Sequence, residues 1–381
     1  MSQSPRHASG QDSRQVRDSR QVRTLGAVPA LCPGPMHIQP DVCDALQTIR
    51  THAKTHENYA TNALLLMHAL KHPQPNRTQP TSFLSPLNEG GRIMHMVHIA
   101  KTGGRSLKTE LLKLTKPVAG AEQCFPPFAH DSRYTVLLYR EPRGHVISQY
   151  LHGAFSGKRV TKRRQLGYPF PNETHTLPQA FHKWVTHFSR DWTPDKGDFN
   201  SYNPWNMQAR SMTCTDPAWN ADFVTACDMP CSHHVGKDAQ DVQPPKDKAI
   251  AAVQHADAVA ILGLLSESLC VIQYRLVGTL PHTCQCDENG TTKSKVAHVV
   301  NPGQKKLKKL TVAELQTETI QQVDAITKID AALYRSAVHR LLCDIHAIQQ
   351  ATQTTILCTK RLQAFRNKTK YVPNLWETVD L

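Results

Sequence analysis

No apolar run in this 381-residue chain is long enough to cross a bilayer as a helix. Stretches such as residues 258–265 end after about eight positions, where a span needs roughly 20. A membrane anchor is therefore not expected within these residues, and membrane association would require one supplied from elsewhere. The N-terminus also lacks the pattern of a signal peptide, because Arg6, Arg14, Arg17, Arg20 and Arg23 precede only a weak apolar patch at 25–31. Aromatic residues are scarce, at 6% of the chain, and no nucleic-acid reading motif is present, so a nucleic-acid partner is not expected. Acidic residues are short too: 31 Asp and Glu face 45 Lys and Arg, a formal charge of +14. Such an excess draws in polyanions, and a phosphorylated nucleotide or an anionic polysaccharide satisfies it as well as nucleic acid does.

What is present points to a folded chain in an oxidising setting. Hydrophobic residues make up 39%, and the length allows a substantial core. Eleven cysteines, an odd number, include the close pairs Cys227 with Cys231 and Cys284 with Cys286. Sequons for N-glycosylation occur at Asn76, Asn172, Asn289 and Asn367. Together these favour the secretory pathway, with disulfides and one leftover thiol, over a cytoplasmic location.

Composition divides the chain. Residues 1–35 read as a disordered basic tail, in which Asp12–Arg17 (DSRQVR) is copied at Asp18–Arg23. Residues 36–90 read as a helical and then proline-rich stem or linker, 91–360 as the catalytic unit with a Cys-rich insertion near 214–240, and 361–381 as a C-terminal tail. Within the unit, short apolar runs at 93–99, 134–139 and 258–264 each precede a loop and a helical pattern. That alternation predicts an α/β fold, a central parallel sheet with helices on both faces. Such sheets bind ligands beyond the carboxyl ends of their strands. Ile320, Val323, Ile326, Ile329 and Leu333, continued by Val338, Leu341, Leu342, Ile345 and Ile348, predict a packing helix or helix pair.

Two strand–loop–helix segments carry chemistry. After the first strand comes Ala100-Lys101-Thr102-Gly103-Gly104-Arg105-Ser106-Leu107. Adjacent glycines let backbone N–H groups approach a phosphate, and the following helix N-terminus favours negative charge. Lys101 adds a mobile cation, and Thr102 and Ser106 add hydroxyls. This lysine precedes the glycines, so the loop is not a Walker A motif, which speaks against a P-loop nucleotide kinase. The second strand leads into Arg140-Glu141-Pro142-Arg143-Gly144-His145-Val146-Ile147-Ser148, with Pro142 suited to the first turn of a helix. Arg140 and Ser148 are placed to grip one phosphate from two sides.

The pair resembles the signatures of the sulfotransferases that use 3′-phosphoadenosine 5′-phosphosulfate (PAPS). Residues 98–107, HIAKTGGRSL, are similar to the family's HIPKTGGTSL-type phosphosulfate loop, with Ala100 for the usual proline and Arg105 for a common threonine. Arg140 to Ser148 fits its R-x-P-x-x-x-x-x-S motif for the 3′-phosphate. Weaker likenesses lie at 202–210 (YNPWNMQAR), 263–276 and 329–334. The nearest resemblance is to Golgi carbohydrate sulfotransferases of the heparan and chondroitin type. It implies a P-loop-like sulfotransferase fold, sulfuryl transfer from PAPS to a hydroxyl on a glycan, and no metal. It also implies that Lys101, Thr102, Gly103, Gly104, Arg105, Ser106 and Leu107 hold the 5′-phosphosulfate, while Arg140 and Ser148 hold the 3′-phosphate. Lys101 would further stabilise the leaving phosphate. For the general base, His130 ranks first, as the histidine between the two motifs, and Glu110 second.

Two other clusters have plainer explanations. Cys227, Cys231, His233 and His234 could ligate zinc, but lack a second pair at finger spacing; a disulfide fits at least as well. Lys305, Lys306, Lys308 and Lys309 read as a solvated face or as a cover over an anionic ligand. A catalytically silent polyanion-binding protein on the same fold is the competing reading. The acceptor-specific region is expected within 153–198 and after Cys214.

Overall fold

The computed structural model describes residues 93–115, 118–119, 125, 133–155, 160–188, 192, 196–214, 243–287 and 310–377. The tail at 1–35, the stem at 36–90, His130, the Cys-rich insertion after Cys214 and the lysine run at 305–309 lie outside the described residues.

The protein is a mixed α/β structure built on a small parallel sheet. Strands β1 (Ile93–Val97), β2 (Val118–Ala119), β3 (Arg133–Tyr139) and β4 (Ala258–Ile261) lie in the order β2-β1-β3-β4, β2 being only two residues long. Every pairing is parallel; β1 and β3 run in register from Ile93 opposite Arg133 to Val97 opposite Leu137. The strands read as continuous apolar runs because both faces are covered. On one face Met94, Met96, Val136, Leu138 and Ala260 pack against helices α1 (Gly104–Leu114) and α7 (Leu265–Val277) through Leu107, Leu111, Leu269 and Ile272. On the other, Val97, Leu137, Tyr139, Val259 and Ile261 meet α6 (Lys246–His255) and α9 (Lys328–Thr352).

The apolar run at 258–264 is a strand only as far as Ile261. Residues Leu262–Leu264 form a 3₁₀ turn, because the Ser268 hydroxyl donates to Leu264 O (2.7 Å) and accepts the Ile261 amide (3.0 Å). The C-terminal periodicity resolves into two helices, α8 (Thr317–Ile326) and α9, separated at Thr327. A third apolar cluster joins α2 (Pro142–Phe155), α4 (Leu177–His187) and α8. At its centre Tyr150, Tyr168, Phe181, Trp184 and Phe188 pack ring against ring, Tyr150 stacked on Tyr168, Phe181 on Trp184, and the other contacts edge-on or tilted. The short helices α3 (Val160–Gln165) and α5 (Met207–Thr213) complete the set with α10 (Thr359–Thr369).

The end of the chain departs from expectation. Residues 361–377 do not form a loose tail: α10 and the turns after it bury Phe365, Val372 and Leu375 in the core beside α9. Lys360, Arg361, Arg366 and Lys368 give this segment a polar composition that hides its few anchoring residues. Disulfide Cys286–Cys358, spanning 72 residues and ending at the N-cap of α10, ties it down further. A second bridge, Cys270–Cys284, joins α7 to the turn just before Cys286. Cys284 and Cys286, separated by one residue, thus belong to different bridges. Such bonds belong to an oxidising secretory or extracellular environment. Among the described residues, no helix is long and apolar enough to cross a membrane.

Candidate anion-binding site

The chain leaves β1 toward β2 on one side and places β3 on the other, so the strand order reverses between β1 and β3. A crevice opens at the carboxyl ends of two such strands. Both motifs meet there.

The loop after β1 turns sharply. Thr102 folds back on the strand, its hydroxyl donating to Ile99 O at 2.8 Å. Lys101 and Gly103 take left-handed backbones, φ 66° and 104°. Gly103 then caps α1 with no side chain over the helix mouth, and its carbonyl accepts the amides of Ser106 and Leu107. A β-carbon on Gly104 would fall 1.9 Å from His98 Cδ2, so the ring of His98 occupies the space that only glycine leaves open. The product is a bare, positively polarised helix N-terminus beside a lysine.

The second motif fastens this loop. From the end of β3, Arg140 Nη1 donates to Lys101 O at 3.2 Å. From α2, the buried His145 ring bonds Ala100 O through Nε2 at 2.7 Å. Two side chains of the second segment thereby hold consecutive carbonyls of the first. Arg140 makes no ion pair with a carboxylate among the described residues, although burial lowers the pKa of its guanidinium. Its neighbour Glu141 instead accepts the Tyr371 hydroxyl. Arg143 is committed elsewhere, with both carboxylate oxygens of Asp324 (2.7 and 2.6 Å) and the face of Tyr371. The Glu141 charge acts on Arg140 through space, but no carboxylate among the described residues is hydrogen-bonded to it, so this cation beside a helix mouth is suited to an anionic group.

Three imidazoles surround the loop, all held neutral. Burial and the Lys101, Lys108 and Arg105 charges lower His98 to about 4. Burial lowers His145 to about 3 against the opposing pull of its bond to Ala100. Burial, with Lys101 and Arg163, lowers His152 to about 4. His152 Nδ1 lies 3.2 Å from Lys101 Nζ and, facing an ammonium, must accept its proton.

A brace stands behind Arg140. Gln208, on α5, accepts the Arg140 amide (3.0 Å) and donates to the Arg140 carbonyl (2.9 Å). Asp330 on α9 accepts the backbone amides of Gln208 and Ala209, while Asn206 accepts those of Ile329 and Asp330. Burial pushes Asp330 up to about 7 despite these donors. The segments at 202–210 and 329–334, far apart in sequence, therefore form one reciprocal clamp.

The expected site residues fall out unevenly. Lys101, Gly103, Gly104, Ser106 and Arg140 gather at the crevice. Ser148 is half-buried on the second turn of α2 and makes no side-chain hydrogen bond among the described residues. Arg105 is exposed at the helix mouth. Thr102 spends its hydroxyl proton on Ile99 O, so it is a turn-closing residue rather than the hydroxyl donor expected. Leu107 is wholly buried against the sheet and its amide is taken by Gly103 O, which leaves it a packing role. Glu110 lies six residues along α1 from Gly104, about 9 Å down the axis, and pairs with Lys113 (2.7 Å). His145, His152 and Gln208 were not singled out from the sequence. Only the spatial meeting of the two motifs gives them partners. No protein-family model matches the chain, and no curated protein matches it.

Proposed function

We propose that this protein is a PAPS-dependent sulfotransferase with a sulfotransferase-type fold, acting on a hydroxyl of a carbohydrate in the Golgi lumen. The observation that carries the reading is the Arg140 guanidinium: joined to the Lys101 carbonyl at the strand-order reversal, with no carboxylate hydrogen-bonded to it among the described residues. The capless Gly103 supports it, since no side chain there covers the helix mouth against a phosphate, while the glycine-only contact of Gly104 with His98 packs the loop against that ring. The helix mouth at Gly103 to Ser106, with Lys101 and Arg105, would hold the 5′-phosphosulfate; Arg140 and Ser148 would hold the 3′-phosphate. The nucleotide supplies a sulfuryl group activated by its bond to the 5′-phosphate.

The chain's own part is positioning and charge. Lys101 brings a cation to the mouth, and the neutral His152 beside it accepts from the ammonium without adding charge. His145 fixes the loop carbonyl, so that Lys101 and Arg140 keep one spacing. Proton removal from the acceptor hydroxyl falls to His130 rather than to Glu110, which lies down α1 from the mouth and is paired with Lys113.

Calorimetric titration with adenosine 3′,5′-bisphosphate tests the reading, with ATP as control. Micromolar binding of the bisphosphate, weaker binding of ATP and a loss of roughly 10- to 100-fold in Arg140→Ala are expected, the range that follows from removing a charge-assisted contact. Equal affinity for ATP, or an unchanged constant in Arg140→Ala, would sink it.

A further inference from the structure

We propose that Asn172 is an N-linked glycan attachment site, selected by the fold over the sequon at Asn367. The inference is independent of the sulfotransferase reading, resting on side-chain geometry and on the compartment that the disulfides imply.

Asn172, Glu173 and Thr174 are all exposed, in the bend between Pro171 and the N-cap of α4. Asn172 Oδ1 accepts the Thr174 amide (3.0 Å), the Thr174 hydroxyl (2.9 Å) and the His175 amide (2.8 Å), with the His175 ring Nδ1 also at 3.2 Å. Its backbone amide closes the turn on His175 O at 3.0 Å. Nδ2 makes no hydrogen bond among the described residues. The fold therefore uses the amide oxygen and leaves the nitrogen, which is the atom a sugar would join. Glycosylation at Nδ2 keeps Oδ1 intact, so every bond of the turn survives the modification. A hollow bordered by Phe155, Pro171, His175, Thr176 and Leu177 opens beside the side chain, giving the first sugar room and an apolar wall.

Asn367 is also exposed, and its Nδ2 likewise makes no hydrogen bond among the described residues, but its surroundings differ. It sits inside α10, with Oδ1 accepting from Gln363 at 3.3 Å. The hydroxyl of its sequon, on Thr369, is wholly buried, donating to Phe365 O (2.8 Å) and accepting from Trp376 Nε1 (3.2 Å). Presenting that sequon requires α10 to unwind and the core beneath it to open.

In the reaction, a bond forms between Asn172 Nδ2 and C1 of the reducing-end sugar of an oligosaccharide carried on a polyprenyl diphosphate. The C1–O bond to the diphosphate breaks, the lipid diphosphate leaves with the electron pair, and Nδ2 loses one proton. The donor and the transferring enzyme belong to the host's secretory pathway.

The test is peptide mapping by mass spectrometry of the full chain, sent into a eukaryotic secretory pathway behind an added leader. Release of the glycans with an amidase in heavy-oxygen water marks each former attachment site as labelled aspartate. We expect labelling at position 172 in most molecules, little at 367, and loss of the label at 172 in Thr174→Ala and of the corresponding glycan in Asn172→Gln. An unmodified Asn172 in chains whose Cys286–Cys358 bridge has formed would overturn the proposal. Equal occupancy at Asn367 would overturn selection by the fold. The wild-type map decides both points even if a variant fails to fold.

Discussion

Gly104 shows how a single missing carbon sets up the crevice. With His98 Cδ2 at 1.9 Å and Nε2 at 2.3 Å from the site of a β-carbon, Gly104→Ala must displace either the ring or the loop. We expect a loss of about 1–3 kcal/mol in stability and a fall of at least tenfold in bisphosphate affinity, roughly the effect of 1.4 kcal/mol. Adding His98→Ala should recover part of both losses; a double variant no better than the single would refute the steric account. The histidines give a pH dependence with a defined sign. His98, His145 and His152 are lowered from 6.5 to about 4, 3 and 4. Between pH 6.5 and 4 the unfolded chain binds protons that the native state refuses, so stability rises with pH across this window and is lost on acidification. Stability measured by denaturant unfolding from pH 7 to 4.5 should fall with a slope approaching three protons from the rings, less about one for Asp330, whose raised pKa makes the native state bind a proton over the same window. His145→Gln should reduce that slope by about one. A flat profile would mean that these rings are protonated in the folded protein.

At the scale of elements, the site depends on helices that brace it from behind. Gln208 pairs with both backbone groups of Arg140, continuing β3 by a side chain where no further strand exists. Helix α5 is in turn held by Asp330 at the start of α9. Gln208→Ala leaves an amide and a carbonyl without partners, which should cost about 2 kcal/mol. It should also weaken bisphosphate binding, because Arg140 loses its anchor. A drop in melting temperature with unchanged affinity would show that Arg140 keeps its position without the brace. The likeness of 202–210 and 329–334 to family segments was legible in the sequence, but their purpose was not. Asn206, Gln208 and Asp330 are polar residues whose partners lie more than 60 positions away and leave no periodic mark.

For the whole molecule, the decisive element is the C-terminal segment. Phe365, Val372 and Leu375 each bury a side chain worth about 2 kcal/mol, together comparable with the net stability of a domain. Removing residues 361–381 should therefore abolish cooperative unfolding, read as loss of the near-ultraviolet circular dichroism signal and rapid proteolysis. A truncated chain that melts as sharply as the intact one would show that this segment is dispensable.

The sequence by itself determined the α/β class, the three main strands to within a few residues, both strand–loop–helix segments and the oxidising setting. These follow from local signals: apolar runs, glycine pairs, proline at a helix start and cysteine number. Tertiary structure alone decided that β1 and β3 are neighbours, that His145 and Arg140 grip the loop of the other motif, and that α10 belongs to the core. It also decided which cysteines pair and which of two described sequons lies in an exposed bend rather than in a helix over the core. The reason is physical: hydrogen bonds between distant residues and burial of isolated apolar anchors have no period along the chain, and exist only once the chain has folded.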